Sequence, residues 1–175
     1  MKDIHLETPR LRLRLMTQSD LEDLLGIFGD PKVMASFNAT PFEHKQMDGW
    51  IQRNLDHQDK HGYGLFSVTL KSNDQLIGDC GLEHMEVGEE LVTELGYDFR
   101  SDHWNQGYAT EAALAVRDYA FEKLSLPSLI SLIRTGNQAS RRVSEKIGMG
   151  LVEEITLNGI SYWKFGIENR LNIED

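Results

Sequence analysis

Three strand-like runs follow one another between Leu65 and Phe99 with only short connections: "LFSVTL" (65–70), "LIGDCGLEH" (76–84) and "LVTELGYDF" (91–99). Connections of a few residues join antiparallel neighbours, whereas parallel neighbours need a crossover of a dozen residues or more. The first half of the chain is therefore expected to be largely antiparallel, with Asn73-Asp74 inside "KSNDQ" as a hairpin turn. Gly96 is the odd member of the third run, because glycine inside a strand often marks a bulge or a close backbone approach.

Around this centre the patterns alternate. "LRLRLM" (11–16) repeats at period two and reads as a half-exposed strand. Thr17 is placed to cap a helix carrying Leu21, Leu24, Leu25 and Phe28, which Gly29-Asp30-Pro31 ends. In "TPFE", Thr40 stands three residues before Glu43, with Pro41 suited to a first helical turn, so a second helix is expected to run to about His61. Ala112, Ala113, Val116, Tyr119, Ala120 and Leu124 form a further helical stripe that Pro127 closes. "SLISLI" reads as a strand buried on both faces. Asn137 opens the helix "NQASRRVSEKIG", Gly148 stops it, and "LVEEITL" and "ISYWKFGIE" make a hairpin around Asn158-Gly159. The expected order is β-α-α-β-β-β-α-β-α-β-β, an α/β class, in one domain over residues 1–175.

The totals narrow the function classes. No apolar run approaches the ~20 residues of a membrane span, so no membrane association is expected. A net charge of −10 opposes nonspecific binding to nucleic acid and suits a cationic substrate. The single cysteine, Cys80, cannot form an internal disulfide and reads as a small buried residue. With no secretory pattern at the start, the cytoplasm is the expected compartment. His57 and His61 stand four apart, as on one helix face, but no third ligand accompanies them and no metal is expected. "EHMEVGEELVTE" is an acidic connection, a solvated hairpin or an attraction for a basic acceptor.

The segment "SDHWNQGYATEA" (101–112) carries the chemistry. N–H groups at a helix start lack helical partners, and the dipole there favours anions. A loop running through Gly107 into Thr110 therefore offers N–H groups from about Gln106 onward to a phosphate or pyrophosphate, with Ala109 keeping the next position small. The alternative, in which Gly107 only turns the chain and Asp102 or Thr110 only caps the helix, stays open at this level.

Trp104-Asn105-Gln106-Gly107-Tyr108-Ala109 resembles the acyl-CoA signature of the GCN5-related N-acetyltransferases, which has Arg or Gln first, Gly fourth, and Gly or Ala sixth. Trp104 departs from that first position, and with "GYATEA" it is similar to the ribosomal-protein N-terminal acetyltransferases of the RimJ/RimL type. The likeness continues in "ETPRLRLR", "DPKVM", "ELGYDF" and "NQASRRVSEKIGM", in order along nearly the whole chain.

The resemblance implies a mixed sheet of about seven strands with one splayed parallel pair, "ELGYDF" beside "SLISLI", and about four helices. It implies acetyl-CoA as co-substrate, its pantetheine arm lying in the splay against backbone around Tyr97 and Phe99. Gly96 would be the bulge that opens the gap. N–H groups of Gln106, Gly107, Tyr108, Ala109 and Thr110 would hold the pyrophosphate, and Leu95 N–H would polarise the thioester oxygen. Asn137 would hold the cofactor near its thioester end or simply cap a helix. Ser140 would serve the leaving thiolate, since the tyrosine many relatives carry is here Ser144. Glu94 is the first candidate for the base and His84, on the preceding strand, the second; for each, a purely structural role is the competing reading. The acceptor would be a primary amine, either a protein N-terminus or a small polyamine or aminoglycoside. Phe37, Phe42 and Trp50 would wall it or belong to the core. A homodimer is compatible with the family, and a non-catalytic acyl-CoA sensor of the same fold is the alternative.

Overall fold

The computed structural model describes residues 5–170. Among them, eight strands form one sheet: β1 (His5–Glu7), β2 (Leu11–Leu15), β3 (Leu65–Leu70), β4 (Leu76–Val87), β5 (Glu90–Phe99), β6 (Ser128–Arg134), β7 (Gly150–Leu157) and β8 (Ile160–Glu168), in the spatial order β1-β2-β3-β4-β5-β6-β8-β7. The helices are α1 (Leu21–Phe28), α2 (Pro31–Ala35), α3 (His44–His61), α4 (Tyr108–Glu122) and α5 (Gln138–Lys146). Every strand pair is antiparallel except β5 and β6, which α4 connects as a crossover. The fold is α/β, with one strand and one helix more than the sequence suggested.

The two faces of the sheet bury different helices. On one face the small side chains of Ala112, Ala113, Val116 and Ala120 bring α4 close to Leu13, Phe66, Val68, Leu82, Leu95 and Phe165. On the other, Leu24, Ile27 and Phe28 of α1, Val33 and Met34 of α2, and Met47 and Ile51 of α3 pack with Leu65 and Leu76. Each fully buried Leu, Ile or Phe contributes roughly 1.5–3 kcal/mol, so α1–α3 are held mainly by this apolar layer.

Three local expectations are corrected. α1 ends at Phe28 with Gly29 as its cap, as expected, but Pro31 also starts a further helix, α2, because Asp30 Oδ1 accepts from Lys32 N (2.9 Å) and proline suits a first helical position. α3 begins at His44, with Glu43 as its cap and Gln46 Oε1 accepting from Glu43 N (2.8 Å); Thr40 and Pro41 precede the helix. Gly96 makes no bulge. The β4–β5 ladder runs without a shift from Gly78 opposite Phe99 to Val87 opposite Glu90, and register shifts occur at Val68/Thr69 and Leu151/Glu153.

The gap arises on the other side of β5. β5 and β6 pair at Glu94 opposite Ile130, and beyond that point toward Phe99 the edge of β5 has no strand partner. The Asn158-Gly159 turn has positive φ at both residues (50° and 77°), as a two-residue hairpin with right-handed strand twist requires.

Candidate active site

The unpaired edge of β5 opens into a cleft of about 1290 Å³. Its sides come from α2 and α3, the loop before α4, β6 and α5, and it is lined among others by Phe37, Phe42, Trp50, Glu94, Tyr108 and Ser140.

The loop is built to present N–H groups. Asn105 and Gly107 have φ of 60° and 83°, so the chain coils through left-handed backbone and Gly107 becomes the cap of α4. Glu111 N makes the first intrahelical bond, to Gly107 O (3.0 Å), which leaves the N–H groups of Tyr108, Ala109 and Thr110 without helical acceptors. All three residues line the cleft. Helix α4 thus opens two residues before Thr110.

Two anchors hold the loop, and neither partner was legible in sequence. Trp104 Nε1 donates to Phe99 O (2.9 Å), fastening the loop to the end of β5 and giving Trp104 a function the superfamily signature does not supply. Arg10, just before β2, donates through Nη1 to Gln106 O (2.9 Å) and through Nε to Glu111 Oε2 (2.7 Å), and its guanidinium lies over the Tyr108 ring. Glu111 also accepts from Thr8 Oγ1 (2.6 Å) and Arg10 N (2.9 Å). Burial pushes the Glu111 carboxyl up, but these bonds outweigh it and hold it below the ordinary range. Gln106 faces this anchor and does not line the cleft; its side-chain amide donates to Asp102 O (3.4 Å).

Along β5, Leu95 O accepts from Ser131 Oγ of β6 (2.6 Å), so the backbone groups of Leu95 point to the splay. Strand parity turns those of Tyr97 and Phe99 the same way. The Phe99 carbonyl is taken by Trp104, while Tyr97 Oη donates to Ser140 O (3.1 Å) and ties β5 to α5 across the gap. Burial raises the Tyr97 phenol further above its ordinary value. Asn137 caps α5, its Oδ1 accepting from Ser140 N (3.2 Å), and both residues line the cleft.

Glu94 lies where the splay begins. Its Oε1 accepts from Leu132 N of β6 (2.9 Å), standing in for a missing ladder bond. Burial raises its pKa to about 7, the Leu132 N–H offsets part of that, and Glu83 and Asp98 add to it. Glu83 is its cross-strand neighbour, and Asp79 and Asp98 also line the cleft. Sequence reading passed over Asp79, Glu83 and Asp98, although their odd and even spacing on two adjacent strands puts them on one face.

His84 is placed elsewhere. It shares a separate depression with His57 and His61, its Nε2 is 2.6 Å from Tyr63 Oη, its Nδ1 is 3.3 Å from Thr93 Oγ1, and its backbone N donates to His57 Nε2. Burial, together with His61 and Lys60, lowers its pKa. The structure does not bring it to Glu94. Among the described residues no three His, Cys, Asp or Glu side chains are arranged to hold a metal ion. Phe42 and Trp50 pack around Phe28 (5.5 and 4.8 Å between ring centres) and also line the cleft. Cys80 is fully buried, and that burial raises its thiol pKa.

The family profile described as "Acetyltransferase (GNAT) domain" matches residues 10–150. The chain belongs to the GNAT acetyltransferases. It is 37% identical over 145 residues to the uncharacterized protein YkkB of Bacillus subtilis (strain 168), covering 82% of this chain and 84% of that one. It is 31% identical over 163 residues to the uncharacterized N-acetyltransferase p20 of Bacillus licheniformis, covering 93% and 84%. The crystal structure of an acetyltransferase from Agrobacterium tumefaciens str. C58 superposes with a TM-score of 0.82 at 28% identity, covering 96% of each chain. GNAT enzymes use acetyl-CoA and act on amine acceptors. No helix among the described residues is long and apolar enough to cross a membrane.

Proposed function

We propose that this GNAT protein transfers the acetyl group of acetyl-CoA directly to a primary amine, with Glu94 as base and Ser140 as the proton source for the sulfur. The observation that carries the reading is one cleft in which an unpaired strand edge leads to free helix N–H groups and ends at a carboxyl with a pKa of about 7.

The residues fit the co-substrate. The N–H groups of Tyr108, Ala109 and Thr110, with the positive end of the α4 dipole, suit a pyrophosphate, and Gly107 supplies the left-handed turn that starts the helix there. Backbone polar groups of Tyr97 and the N–H of Phe99 suit the amides of a pantetheine arm, as in strand addition.

Acetyl-CoA supplies an activated acetyl thioester when bound. The acceptor enters as an ammonium, which has no lone pair, so Glu94 first removes a proton. Oε1 is already engaged by Leu132 N–H, and Oε2 is the oxygen that takes it. As the new C–N bond forms and the C–S bond breaks, the Ser140 hydroxyl gives its proton to the departing sulfur and is restored by the second proton that leaves the acylated nitrogen, while Glu94 releases the first proton to solvent. Asn137 holds the first turn of α5 and with it Ser140. His84 and Gln106 take no part.

Two acceptor classes fit this reading: a protein N-terminus, as the RimJ/RimL-like motifs suggest, and a small amine. Release of free CoA, measured with a panel of peptides and amines for the native protein, Glu94→Gln, Ser140→Ala and the double variant, tests the roles. Undiminished turnover in all three variants overturns them. Acetyl-CoA binding with no turnover on any amine favours an acyl-CoA sensor.

A further inference from the structure

Two five-residue segments mirror each other across the centre of the sheet: Asp79-Cys80-Gly81-Leu82-Glu83 on β4 and Glu94-Leu95-Gly96-Tyr97-Asp98 on β5. Their antiparallel register sets Asp79 opposite Asp98, Gly81 opposite Gly96 and Glu83 opposite Glu94. Period two sends Cys80, Leu82, Leu95 and Tyr97 into the α4 face and turns the four acids and two glycines toward α1–α3. Asp79, Glu83, Glu94 and Asp98 all line the cleft, and nothing lies within 4 Å of where a side chain at Gly96 would begin. The two acid pairs stand about 13 Å apart along the strands, four residues at ~3.3 Å each.

This arrangement opposes folding. Like charges directly across a strand pair destabilise it, and a buried carboxyl needs partners. Asp79 is fully buried, and neither of its oxygens has a hydrogen-bond partner. Among the described residues no salt bridge reaches any of the four acids, and Glu94 alone has a bonded donor, Leu132 N. The basic side chains of the cleft do not compensate: Lys32, His103, Arg134, Arg142 and Lys146 line it without bonding any of the four, Arg134 donating instead to Phe37 O, and Arg53 acts on Glu83 only at a distance. The wall above is aromatic, from Phe28, Phe42 and Trp50, a surface that suits methylenes and the face-on approach of a cation.

We propose that Asp79 and Asp98 form a subsite for a second positive charge on the acceptor, which makes the acceptor a linear aliphatic diamine or polyamine. This rests on the acetyltransferase reading. The reacting amine meets Glu83 and Glu94, the methylenes lie over Gly96 under the aromatic wall, and the distal ammonium gives Asp79 the hydrogen bonds the protein withholds. Burial keeps the Asp79 and Asp98 carboxyls above the usual range, so a bound cation drives protons off them.

The test is calorimetric titration of the protein, alone and saturated with CoA, with 1,8-diaminooctane and with 1-aminooctane, in two buffers of different ionisation enthalpy. The diamine is expected to bind at least tenfold more tightly than the monoamine and to release protons. Asp79→Asn and Asp98→Asn, which keep the shape, are each expected to remove that preference while leaving the monoamine unchanged, and to raise the KM for the diamine more than they lower kcat. Asp98→Asn is the variant of record should Asp79→Asn fail to fold. Equal affinity for the two amines, or a preference that survives both variants, overturns the subsite; so does acetylation of a peptide N-terminus at higher kcat/KM than any diamine. Failure of the acetyltransferase reading registers separately, as no binding of acetyl-CoA, and leaves the amine titration readable by itself.

Discussion

Glu94 concentrates the chemistry at the residue scale. A carboxyl with a pKa of about 7 is half-ionised near neutrality, and catalysis needs it ionised to accept a proton. The rate is therefore expected to rise with pH through about 7. Glu94→Gln, which keeps the acceptor for Leu132 N–H, is expected to lower kcat by roughly 10²–10⁴ and to remove that rising limb. A pH–rate profile of both proteins checks this, and an unchanged limb in the variant assigns it to another group. Glu94 was legible in the sequence through the matching motif, but the reason for its pKa was not. That reason is first its burial where the ladder to β6 ends, with Glu83 across the strand and Asp98 four residues on adding to it. His84 shows the converse, for one place along the strand turns its ring to the opposite face, against Tyr63 and His61.

At the scale of elements, the helix-start loop is held by contacts from distant sequence. Arg10 and Glu111 lie 101 residues apart, and period-two alternation in "PRLRLR" announces a strand without saying what its first arginine touches. The glycine that matters was legible at Gly107, but its left-handed backbone was not. An added Cβ there would meet only Arg10 Nη2, at 3.4 Å, whereas the φ of 83° is what other residues resist, by about 1–2 kcal/mol. Gly96, read as a bulge, is regular strand whose missing side chain keeps the cleft floor open. Arg10→Ala is expected to loosen the loop and weaken acetyl-CoA binding roughly fivefold, about 1 kcal/mol for a charged anchor that is nearly half exposed. Trp104→Phe, which removes the indole donor to Phe99 O, is expected to act in the same direction. Affinity measured by titration, with kcat at saturation preserved, distinguishes this from damage at Glu94.

For the whole molecule, the order of elements and the largely antiparallel sheet followed from periodicity and turn residues, since short connections leave few topologies. The extra strand β1 and helix α2 escaped because three and five residues carry little pattern, and Asp30-Pro31 reads equally as a stop or a start. The clustered acids set how the fold responds to pH. Glu94 has a pKa of about 7 in the folded protein, and burial also raises Asp98 and Asp79, against ordinary values near 4. Between about pH 4 and 7 the folded state therefore holds more protons than the unfolded one, and stability falls as pH rises. Melting temperature is expected to decline over that interval, and Asp98→Asn is expected to flatten the decline and stabilise the protein at pH 8. A variant that melts no higher than the native protein at pH 8 contradicts the burial account.

Titration calorimetry of the purified protein with acetyl-CoA, with Gly107→Trp alongside, tests the central claim most directly. The expected result is saturable micromolar binding to the native protein and its loss in the variant, where a bulky side chain meets both the left-handed backbone and Arg10. No binding by the native protein, or equal binding by the two, contradicts the assignment of the cleft and of the α4 N-terminus to acetyl-CoA.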